Sequence, residues 1–96
     1  MDLRLILSGL EDLAERMGLR VRYERLDDDE VEVRSGRCRL RGEDILLMDR
    51  RLEPAARIKV LRTELLGMNL AGIYIKPYLR AFLEEGGQDG DQPPHA

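Results

Sequence analysis

Apolar residues near the N-terminus recur at three- and four-residue intervals: Leu3, Ile6, Leu7, Leu10, Leu13, Ala14 and Met17. That spacing lines them along one face of a helix, predicted from about Asp2 to Met17. Asp2 suits the N-cap. Gly18 suits the position just past the helix end, where the backbone turns left-handed. Gly9, inside the helix, costs about 1 kcal/mol relative to alanine, and the stripe is strong enough to carry it. After Gly18 the period changes to two: Leu19, Val21 and Tyr23 alternate with Arg20, Arg22 and Glu24, the pattern of a half-buried strand. The acidic run Asp27-Asp28-Asp29 reads as a solvated loop. Val31 and Val33 alternate with Glu30, Glu32 and Arg34, and Ser35-Gly36 suits a tight turn. Cys38 and Leu40 then alternate with Arg37, Arg39 and Arg41, and Gly42-Glu43 makes a second turn before the apolar run Ile45-Leu46-Leu47-Met48. Short alternating strands joined by turns predict a four-stranded antiparallel meander.

A meander of this kind fixes a register. With Ser35-Gly36 as the turn, Val33 faces Cys38 and Val31 faces Leu40, while Glu32 lies opposite Arg39 and Glu30 opposite Arg41. Across the next turn Leu40 pairs with Ile45 and Cys38 with Leu47, with Asp44 beside Arg41. The apolar residues, Cys38 among them, then collect on the face that the first helix covers, and the arginines collect on the other. Opposite charges across strands contribute roughly 0.2–1 kcal/mol per pair, which accounts for the arginine stripe without a ligand.

The helical period returns from Leu52. Pro54 fits the first turn, where its missing N–H is not needed. Ala56, Ile58, Val60, Leu61 and Leu65 give this helix a wide apolar surface ending near Gly67. Leu70 to Ile75 reads as extended or coil, and Pro77 starts a third helix that buries Leu79, Phe82 and Leu83. The expectation is a single α+β domain over 1–85: an N-terminal helix, the four-stranded meander and two C-terminal helices. Residues 86–96, rich in Gly, Gln, Asp and Pro, read as a disordered tail.

Composition narrows the chemistry. The chain has 96 residues, with 16 basic and 19 acidic side chains and a net charge of −3. This is too short for two independent cores. No apolar run approaches the roughly 20 residues of a membrane span, and the N-terminus has no signal-peptide pattern. The one cysteine, Cys38, fits a reducing compartment, so a cytoplasmic location is expected. Buried and without a basic partner, Cys38 is expected to be inert. His95 stands alone in the tail and reads as a solvated residue. The run Asp27 to Glu32 lacks the glycine and glutamate spacing of a calcium loop.

One segment resembles a known family. Met48-Asp49-Arg50-Arg51-Leu52-Glu53-Pro54 leads into a helix containing Leu61-Arg62-Thr63-Glu64-Leu65-Leu66-Gly67. This resembles the ImmA/IrrE-type zinc metallopeptidase family, in which an apolar strand and a short turn precede a helix bearing His-Glu-x-x-His. Arg51, Leu52, Pro54, Leu61, Glu64 and Leu65 fall in register without a gap, and the hairpin from Ser35 to Arg41 resembles the family's sheet edge. The resemblance implies zinc-binding histidines at Thr63 and Gly67, where this chain has none; only the glutamate, Glu64, remains. A zinc site of this kind needs two imidazoles one helical turn apart, and a glutamate base needs a metal-bound water to deprotonate. The implied relative is a degenerate scaffold without its metal site. An enzyme using Glu64 with the tyrosines would lack a second catalytic group.

No catalytic, cofactor-binding or metal residue is therefore assigned, and no cofactor is expected. The expected role is a non-catalytic protein-interaction module. Leu46 and Met48 fall on the sheet face opposite Ile45 and Leu47, an apolar surplus that needs cover, either from the chain's own helices or from a second copy in a homodimer. Tyr74, Tyr78 and Phe82 add aromatic surface suited to an interface. The alternative is a nucleic-acid-binding module using Arg20, Arg22, Arg37, Arg39 and Arg41 on the exposed sheet face. Fourteen of the basic residues are arginine, and guanidinium groups bind phosphate bidentately. The facing carboxylates Glu30, Glu32 and Asp44 weigh against it.

Overall fold

The computed structural model describes residues 2–25 and 36–85. The elements run α1 (Leu3–Arg16), β1 (Leu19–Glu24), β2 (Gly36–Leu40), β3 (Glu43–Asp49), α2 (Pro54–Leu66) and α3 (Pro77–Glu85). The Asp2 carboxylate accepts a hydrogen bond from the Arg4 N–H at 3.0 Å, which caps α1. Gly18 leaves the helix at φ 85°, as a residue without a β-carbon can. Pro54 opens α2.

The class is α+β, but the sheet is not the expected meander. The described residues form a three-stranded mixed sheet in the order β1-β3-β2. β3 runs parallel to β1 and antiparallel to β2. The reason is in the strands themselves. Ile45-Leu46-Leu47-Met48 is apolar on both faces, and a strand of that kind is best covered at the centre of a sheet. β1 and β2, which alternate with charged residues, take the outer places among the described strands. A meander would have left β3 as an edge strand. The expected strand around Val31 and Val33, its pairings with Cys38, Leu40, Arg39 and Arg41, and the tail all lie outside the described residues.

The register also moves. The β2–β3 turn is Arg41-Gly42, so Leu40 pairs with Glu43 and Cys38 with Ile45, two residues from the expected pairing. A shift of two keeps Cys38, Leu40, Ile45 and Leu47 on one face. The face that meets the helices is nevertheless the other one, because β1 pairs Val21 with Leu46 and Tyr23 with Met48. The core joins Leu19, Leu46 and Met48 to Ile6, Leu10, Leu13 and Ala14 of α1, Ile58, Leu61 and Leu65 of α2, and Ile75, Leu79 and Leu83 further along. Leu46 and Met48 are 0% exposed, so the chain's own helices supply their cover. Cys38 is exposed rather than buried, and Leu40 is 48% exposed.

Candidate functional site

The expected arginine stripe divides between two faces. Arg20 pairs across the sheet with Ile45, and Arg22 with Leu47, on the face of Cys38 and Leu40. Arg37 pairs with Leu46 and Arg39 with Asp44, on the helix-facing side. Asp44, expected beside Arg41, instead lies 3.5 Å from both Arg37 and Arg39. Arginine tolerates the helix-facing side of β2 because its stem can run along apolar surface while the guanidinium stays with carboxylates. On the opposite face Arg20 meets Glu43 at 3.5 Å and Arg22 meets Glu24 at 2.8 Å. The five arginines thus form no single patch.

The α2 segment that carries Thr63, Glu64 and Gly67 reaches β2 through one ion pair. Glu64, half-buried on α2, has Oε1 4.0 Å from Nη1 of Arg37 on β2. Thr63 and Gly67 are exposed. These residues do not fit a zinc ion: the two positions offer a hydroxyl and no side chain, and the neighbour of Glu64 is a cation. Among the described residues no cluster of three or more His, Cys, Asp or Glu side chains could hold a metal.

Of the expected interaction residues, Leu46 and Met48 are interior, so of the two expected covers it is the chain's own helices that supply it, and neither residue is open to a partner. Tyr74 is 68% exposed, and its carbonyl accepts a hydrogen bond from Arg16 at 2.7 Å. Tyr78 is half-buried between α3 and α1, with its hydroxyl 3.4 Å from the Leu5 carbonyl. Phe82 packs on the core, with the Arg62 guanidinium 5.9 Å from its ring centre. The three aromatic side chains do not make one surface.

Two arrangements escaped the sequence pattern. The first is a concavity of about 750 Å³ lined by Glu15, Arg20, Val21, Arg22, Leu40, Arg41, Glu43 and Ile45. Its lining draws on both sides of the sheet: Arg20, Arg22, Leu40, Glu43 and Ile45 share the Cys38 side, whereas Val21 belongs to the helix-facing side and Glu15 to α1. The second surrounds Tyr23, whose hydroxyl donates to Glu11. The Arg57 guanidinium lies 4.7 Å from the Tyr23 ring centre, a cation–π arrangement. Arg57 also donates to the carbonyls of Leu52 at 2.8 Å and Arg50 at 2.7 Å, tying the turn after β3 to α2. Burial raises the Tyr23 pKa first, and the hydrogen bond to Glu11 and its negative charge add to the shift, against the opposing charge of Arg57. At Asp49 the side-chain hydrogen bond from Arg51, with its backbone N–H, lowers the carboxyl pKa to about 2. Alternation in Tyr23 signalled burial but nothing of its partners, which come from separate helices.

Compared with protein-family models, curated proteins and solved structures, the chain matches none. Among the described residues, no helix is long and apolar enough to cross a membrane.

Proposed function

We propose that this chain is a non-catalytic protein-interaction module whose contact surface is the sheet face bearing Leu40. The observation that carries this reading is an exposed leucine on a strand, beside a concavity edged by Arg20, Arg22 and Arg41. An apolar centre with an arginine-rich polar rim is the usual anatomy of a protein interface. The division of the arginines between two faces, each met by carboxylates, favours a protein partner over nucleic acid, which would be served by one continuous basic footprint. The degenerate metallopeptidase scaffold fits the same reading. Glu64 beside Arg37 of β2, with threonine and glycine in the ligand positions, supports a fold kept without its chemistry. A cytoplasmic setting belongs to this proposal and rests on the lone thiol.

The test is an array of random-sequence peptides probed with the labelled chain. A subset of peptides should retain the native chain and release the Leu40→Asp variant, whose fold is checked by circular dichroism. No retained peptide, or equal retention by the variant, would refute the proposal.

A further inference from the structure

We draw no further inference here: the strongest candidate, the groove between α1 and the start of α3 lined by Ser8, Asp12, Arg16, Lys76 and Tyr78, brings exposed side chains of both charges to one helix N-terminus, and nothing in the structure shows what would occupy it.

Discussion

At Gly9 an added β-carbon would lie 2.6 Å from the Tyr78 hydroxyl oxygen and 3.3 Å from both terminal methyl carbons of Leu79. The glycine costs helix propensity but lets α3 approach α1. Alanine should regain about 1 kcal/mol of propensity and lose more to crowding. Gly9→Ala is therefore expected to lower stability by about 1 kcal/mol in the native chain and by about zero in a Tyr78→Phe background, read by urea denaturation. Equal effects in both backgrounds would locate the conflict elsewhere. Two titrating residues give stability a pH dependence of known sign. Asp49 is held at about 2, below its ordinary 3.8. Its contribution is complete above the ordinary value and is lost as pH falls through about 2. Tyr23 is raised above its ordinary 10.0, so its contribution is complete below that value and declines as pH rises beyond it. Asp49→Asn should flatten the acid limb of the stability profile, and Tyr23→Phe the alkaline limb. An unchanged limb in either variant would contradict the assigned cause.

The β3 strand is the element on which the fold turns. Its two faces are both apolar, and its neighbours decide which one enters the core. β1 brings Leu19, Val21 and Tyr23 into line with Leu46 and Met48, so that side packs on the helices. The opposite side keeps Ile45 only 3% exposed while Leu40 beyond it remains 48% exposed. Truncating a fully buried leucine costs about 2–5 kcal/mol, whereas an exposed one changes stability by about 0.5 kcal/mol or less. Leu46→Ala should accordingly move the urea midpoint strongly, and Leu40→Ser should barely move it. The reverse order would restore the face assignment that strand alternation alone suggests. The alternation of β2 misled for a physical reason. Its arginines on the core-facing side reach Asp44 and Glu64, so polar residues there do not mark the solvent face.

The helices were legible in the chain because each declares itself locally. The stripe from Ile6 to Ala14, the cap at Asp2 and the prolines at Pro54 and Pro77 all act within one or two turns. Of the candidate site, the sequence marked Arg20, Arg22 and Arg41 but also grouped Arg37 and Arg39 with them, and it left open whether the chain's own helices or a second copy covers Leu46 and Met48. Those assignments depended on strand order. At the scale of the molecule, Leu46 and Met48 are covered by the chain's own helices and do not call for a second copy. Sedimentation over a concentration series should show a single monomeric species; mass increasing with concentration would contradict this. The helices, the strand segments around β1, β2 and β3, and the lack of histidine at positions 63 and 67 were all readable along the chain. These follow from local periodicity and residue identity. The place of β3 between β1 and β2, the choice of its buried face, and the concavity that Leu40 and Arg41 line come from contacts between distant segments. A strand apolar on both sides carries no local signal of its neighbours, and long-range pairing supplies that choice.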